Sequence, residues 1–99
     1  MTAYVIAEID IKNAREYEEV KRLTPATIAA YGGTYLARGG PCETLEGTWA
    51  PKRLVILKFE SIDQAKQWWD SPEYRPVKVA RQDCASVNMI VTEGIPEYF

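Results

Sequence analysis

Short runs of apolar, β-branched and aromatic residues alternate along the chain with longer amphipathic stretches, and their order predicts the fold. Tyr4-Val5-Ile6-Ala7-Glu8-Ile9 has the make-up of a strand. Asp10 to Lys12 breaks it, and Asn13 then stands three residues before Glu16, the spacing of a capping box that opens a helix. Tyr17, Val20 and Thr24 share one face of that helix, while Arg15, Glu18, Glu19 and Arg22 point to water. Pro25 falls inside the pattern, so Thr24 and Pro25 are expected to cap and restart a second helical piece carrying Ile28 and Tyr31. Gly32-Gly33 ends it, because glycine reaches the left-handed conformation that terminates helices.

Thr34 to Arg38 reads as a second strand, interrupted by Gly39-Gly40-Pro41 in the manner of a bulge and continued by Glu43 to Glu46. Gly47 to Lys52 is a turn-rich hairpin loop leading into Arg53-Leu54-Val55-Ile56-Leu57-Lys58-Phe59, the strongest strand of the chain. Ser61 and Gln64 again have capping-box spacing, and Ile62, Ala65 and Trp69 lie on one face of the helix they open, with Trp68 adjoining. Pro76 makes Tyr74-Arg75 a turn, after which Val77 to Asp83 is helical and Val87 to Thr92 is the last strand. Strand, helix, strand, strand, helix, strand is the split βαβ order. The expected fold is therefore α+β: a ferredoxin-like βαββαβ sandwich, its antiparallel four-stranded sheet carrying the helices on one face. Ninety-nine residues suit a single domain spanning 1–99.

A sheet with one face in water alternates apolar and polar residues, and these strands do not. Val55, Leu57 and Phe59 fall on one face of their strand and Leu54 and Ile56 on the other; Tyr4 and Ile6 oppose Val5, Ala7 and Ile9, and Ile90 opposes Val87, Met89 and Val91. Two helices cover only one of these faces. The other would be an apolar patch of a size monomers seldom expose, which predicts a face-to-face homodimer. The plainer alternative is that loops or the aromatic tail Gly94-Ile95-Pro96-Glu97-Tyr98-Phe99 cap that face within a monomer.

Composition narrows the chemistry. Twelve basic and fourteen acidic residues nearly cancel and are interspersed, so no basic stripe tracks a phosphate backbone and no nucleic acid partner is expected. No apolar run approaches the roughly 20 residues that span a bilayer, and the first residues lack the pattern of a secretory signal. No membrane partner is expected, and a cytoplasmic location is. Cys42 and Cys84 have no metal-ligand spacing and read as small hydrophobes. The absence of histidine removes Ser-His-Asp and Cys-His nucleophile systems and any His-ligated metal. No cofactor and no metal are expected.

The run Tyr31-Gly32-Gly33-Thr34-Tyr35-Leu36-Ala37-Arg38-Gly39-Gly40 resembles the family called domain of unknown function 1330, as do Leu45 to Trp49, Arg53 to Phe59 and Trp68-Trp69-Asp70-Ser71-Pro72-Glu73-Tyr74. The resemblance covers nearly the whole chain and implies a ferredoxin-like fold of the dimeric α/β-barrel kind, with no established activity. That architecture also includes cofactor-free monooxygenases, muconolactone-isomerase-like enzymes and dyp-type peroxidases, a likeness of fold that does not assign chemistry.

Six residues are candidates for a site. Glu46 and Arg53 flank the hairpin loop at matching distances and are expected to be cross-strand neighbours, either a carboxylate oriented for proton transfer or an ordinary ion pair. Arg38, before the glycine pair, suits a bidentate grip on a carboxylate, or else it steadies the loop. Glu8, if it points into a barrel, would have a raised pKa and act as acid or base; an edge position or a salt bridge explains it as well. Trp49 and Tyr74 are expected to wall a pocket, although aromatics of this kind serve more often as core and interface. The readings that follow are a cofactor-independent enzyme for a small organic acid or ketone, with Glu46 or Glu8 moving the proton and Arg38 and Arg53 holding the anion, or a non-catalytic dimeric module that binds a metabolite or a partner protein.

Overall fold

A computed structural model describes residues 1–96, in the order β1 (Ala3–Ile11), α1 (Ala14–Ala30), β2 (Thr34–Arg38), β3 (Leu54–Phe59), α2 (Ile62–Trp69), α3 (Arg75–Cys84) and β4 (Ala85–Glu93). The strands form one antiparallel sheet in the order β2-β3-β1-β4, the ferredoxin-like arrangement. Residues 97–99, with Tyr98 and Phe99 of the aromatic tail, lie outside the described residues.

Alternation along the strands assigns the two faces. Ala3, Val5, Ala7 and Ile9 of β1 are buried beneath the helices with Val55, Leu57 and Phe59 of β3. The core is anchored by Trp68 of α2, 2% exposed, whose ring stacks on Tyr74 at 4.3 Å and tilts against Phe59 at 5.6 Å. Its indole N–H donates to Thr27 Oγ1 on α1, so the buried polar atom is satisfied. The expected helix face was one residue out: Ala65 and Trp68 are buried, and Trp69 turns outward beneath Lys78. Helix α3 begins at Arg75 rather than after a turn, because Pro76 sits in its first turn, where its missing N–H has no intrahelical acceptor to serve.

On the opposite face Ala37, Ile56, Ile6 and Ile90 are register partners, so one apolar row crosses all four strands. Leu36 and Ile90 are 55% and 61% exposed there. Polar residues bound the row: Thr34, Lys58 and Thr92 on one side of it, Glu8, Asn88 and Ser86 on the other. Among the described residues no helix lies over this face, and they form a slab of 44 × 38 × 16 Å.

Two expectations about the chain between β1 and β3 are corrected. Pro25 does not divide α1, which runs unbroken for 17 residues. A proline there deprives the Lys21 carbonyl of its i+4 donor, and the Arg38 guanidinium reaches across from β2 to supply one at 2.6 Å. Residues 43–46 do not extend β2. Pairing ends where Gly39 N–H donates to the Leu54 carbonyl, and 39–53 is a projecting loop whose Leu45 is 99% exposed. The bulge lies upstream of the glycines, between Tyr35 and Ala37, and places both Leu36 and Ala37 opposite Ile56. That extra residue shifts the alternation, so Arg38 pairs with Val55 and turns to the helix side.

The Pro25–Arg38 arrangement is testable. Arg38→Met is expected to destabilise the protein by about 0.5–1.5 kcal/mol in chemical denaturation, since it orphans the Lys21 carbonyl. In a Pro25→Ala background the backbone N–H of residue 25 takes over that carbonyl, and the same substitution is expected to cost measurably less. Equal costs in both backgrounds would contradict the assignment.

Candidate functional site

Between the sheet and the helices lies a small cavity of about 50 Å³, mostly apolar but with three tyrosines and three arginines among its lining residues. Tyr17 comes from the first turns of α1, Tyr35 from the helix side of β2 opposite Leu57, and Tyr74 from the residue that caps α3. Three guanidinium groups join them: Arg38 from the bulged strand, Arg53 just before β3, and Arg81 from the last turn of α3. Arg38 lies 4.8 Å from the centre of the Tyr35 ring and Arg53 5.6 Å from that of Tyr17. Gly39 beside them has a φ of 74°, which favours glycine, and a Cβ on it would make the tip of the Arg53 side chain move.

The electrostatics of this cluster are unbalanced. Arg81 is only 7% exposed. The Nε atoms of Arg81 and Arg53 are buried without a hydrogen-bond partner among the described residues. The ion pairs of the described residues are Lys12–Asp10, Lys52–Asp10, Lys21–Glu18 and Arg22–Glu19, so no carboxylate there neutralises Arg38, Arg53 or Arg81. Burying an unpaired ion costs several kcal/mol, and a protein keeps such a group where something else rewards it. Burial pushes the Tyr74 phenol above its ordinary pKa, against the downward pull of the Arg81 guanidinium beside it. Burial likewise raises Tyr35, with Arg38 pulling the other way. Both phenols are therefore neutral hydroxyls at pH 7. These phenol hydroxyls and the guanidinium N–H groups can donate to an acceptor-rich group such as a carboxylate or an enolate.

The six residues singled out in the sequence separate onto two sides of the sheet. Arg38, Arg53 and Tyr74 meet at the cavity. Glu8 lies on the open face, where its carboxylate accepts the Trp49 indole N–H at 2.7 Å. Glu46 is exposed in the 39–53 loop, and no hydrogen bond or ion pair joins it to Arg53. Matching distances across the loop imply partnership only if the strands run on to those residues, and here pairing stops at Arg38. Tyr35 and Arg81 are site residues the sequence reading passed over. Arg81 had a usable signal, since it stands between Val77 and Cys84 on the buried stripe of α3. Among the described residues no three His, Cys, Asp or Glu side chains are grouped to hold a metal ion, and no helix is long and apolar enough to cross a membrane.

The raised phenol pKa values have a thermodynamic consequence. Because Tyr35 and Tyr74 hold their protons more tightly folded than unfolded, the stability they contribute is complete below the ordinary phenol pKa of about 10 and is lost as pH climbs through the higher folded values. Urea titrations from pH 8 to 11.5 are expected to show stability falling at the alkaline end, and less steeply for Tyr74→Phe. An unchanged slope in that variant would remove Tyr74 from the account.

Solved structures show the same fold at low sequence identity. A protein of unknown function from Rhodopseudomonas palustris superposes with a TM-score of 0.75 at 15% identity, over 96% of this chain and 83% of that one. A dimeric ferredoxin-like protein of unknown function from Jannaschia sp. CCS1 gives 0.71 at 8% identity, over 95% and 100%. SnoaB, a cofactor-independent oxygenase from Streptomyces nogalater, gives 0.65 at 13% identity, over 96% and 94%. No curated protein matches the chain in sequence. The pattern of the domain of unknown function DUF1330 matches residues 2–95, and the chain belongs to that family.

Proposed function

We propose that the chain works as a homodimer joined through its open sheet face, and that each protomer binds a small organic acid or ketone at the arginine–tyrosine cluster for cofactor-independent chemistry. The observation that carries the ligand is Arg81: a guanidinium inside the core with no acidic partner among the described residues and an unpaired Nε. An acceptor-rich ligand would supply the missing counter-charge, and the surrounding donors would favour a developing enolate over its neutral parent. The apolar row across the sheet and the exposed Leu45 of the loop support the dimer, since a second copy would cover both. The Jannaschia relative is dimeric and SnoaB is a cofactor-independent oxygenase, which favours the same two elements.

A second reading, non-catalytic binding of the same class of molecule, is favoured by one observation: no carboxylate lines the cavity, so no proton acceptor of that kind stands beside a ligand there. The catalytic reading assigns proton transfer to Glu46 or Glu8, neither of them on the cavity wall of one protomer. A site for a protein partner has no comparable feature in its favour.

Two experiments follow. Sedimentation at micromolar concentration is expected to give a dimer, and Ile90→Lys, which sets a charge in the apolar row, a folded monomer; a wild-type monomer would remove the homodimer. Small carboxylates are expected to raise the melting temperature of the wild type and not of Arg81→Met, whose own melting temperature is expected to equal or exceed that of the wild type because an uncompensated charge is gone. Carboxylates that stabilise both proteins equally would refute the role of Arg81.

A further inference from the structure

The arginine–tyrosine cavity, about 50 Å³, has room for a group the size of a carboxylate and not for a larger organic body. A second cavity, of about 410 Å³, adjoins it between α2 and β4. Val5, Trp68, Arg81 and Met89 line both, so a single wall separates them, and Arg81 is its charged member. The larger volume falls within the range of roughly 300–1,000 Å³ typical of small-molecule sites. It exists because α2 is only eight residues long and β4 is an edge strand, which leaves the helix side of Val87 and Val91 half-covered. Trp69 forms part of its rim, its indole held by Lys78 Nζ, which sits 3.5 Å above the ring and donates to the Trp69 carbonyl.

The charge pattern of this cavity is one-sided. Apolar side chains make up most of the lining, the charged groups are Lys66 and Arg81, and no acidic residue is among them. A neutral apolar guest would leave Arg81 as unpaired as before. A small inorganic anion would leave the apolar walls unused.

We propose that the α2–β4 cavity takes the apolar body of an organic monocarboxylate, aromatic or medium-chain aliphatic, whose carboxylate meets Arg81 at the wall between the two cavities. This rests on the reading of the arginine–tyrosine cluster as a ligand site and adds to it the substrate class and the direction of entry. The ligand comes in over the β4 edge, past Trp69, and its charged end points toward Tyr74 and the inner cavity. On the Arg38–Arg53 side the Arg38 guanidinium is engaged by the Lys21 carbonyl.

Calorimetric titration of the intact protein with sodium acetate, butanoate, hexanoate, octanoate and 1-naphthoate tests this. Affinity is expected to rise about three- to fourfold per added methylene as apolar surface is buried. Octanol is expected to bind about tenfold or more weakly than octanoate, since it offers Arg81 no charge. Val87→Trp, which fills the cavity from a half-covered strand position, is expected to weaken octanoate binding by about tenfold or more and leave acetate unchanged. Val91→Trp is the second variant should the first fail to fold. Carboxylate binding that depends on Arg81 but ignores chain length and both tryptophan variants would overturn this inference and leave the proposed function standing. Binding of no carboxylate at all would overturn both.

Discussion

A sheet can give only one of its faces to the helices that its own connections provide, and here both faces carry apolar residues. The helices take the side of Val5, Ala7, Ile9, Val55, Leu57 and Phe59. Every other feature is arranged around that choice. The aromatic column of Phe59, Trp68 and Tyr74 fixes α2 and the start of α3 over the middle of the sheet. The row from Ala37 through Ile56 and Ile6 to Ile90 is what remains on the other side. With hydrophobic burial worth roughly 25 cal/mol per Å², an uncovered row of this kind is a standing drive toward association.

Within the helix layer the packing is incomplete by design of its residues rather than by defect. Tyrosines and arginines occupy places where leucines would fill the core more cheaply, and their polar ends converge. A phenol oxygen can accept from a guanidinium, as Tyr74 does beside Arg81, yet it brings no negative charge, so the guanidinium stays uncompensated. The backbone cooperates: a bulge in β2 turns Arg38 inward, and a glycine after it leaves room for Arg53. These devices are local, and each acts on a side chain of the cluster.

Most of the architecture was legible because it is written in nearest-neighbour terms. Apolar runs marked the four strands, and the caps at Asn13 and Ser61 open their helices with the expected side-chain bonds to the N–H groups of Glu16 and Gln64. The readings that failed depended on partners far away in sequence. Pro25 breaks a helix in isolation; it is tolerated here because Arg38 repairs the carbonyl that it orphans. Glu46 opposite Arg53 was an inference about register, which rests on where pairing stops, and a short pattern does not reveal that. Arg81 was overlooked for the opposite reason: its helical spacing marks a buried position, but its chemistry argues for exposure, and only the fold shows which of the two prevails.

The junction of α3 and β4 joins the two sides of the molecule mechanically. Cys84 closes the helix and Ala85 opens the strand with no residue between them, and the Cys84 carbonyl is held by the backbone N–H groups of both Lys12 and Asn13. Arg81 stands one turn before that joint, and Ile90 six residues after it on the far face. There is no slack of chain to absorb a displacement, so the joint acts as a fulcrum. With no loop residue between helix and strand, a displacement of the end of α3 would pass directly to the start of β4.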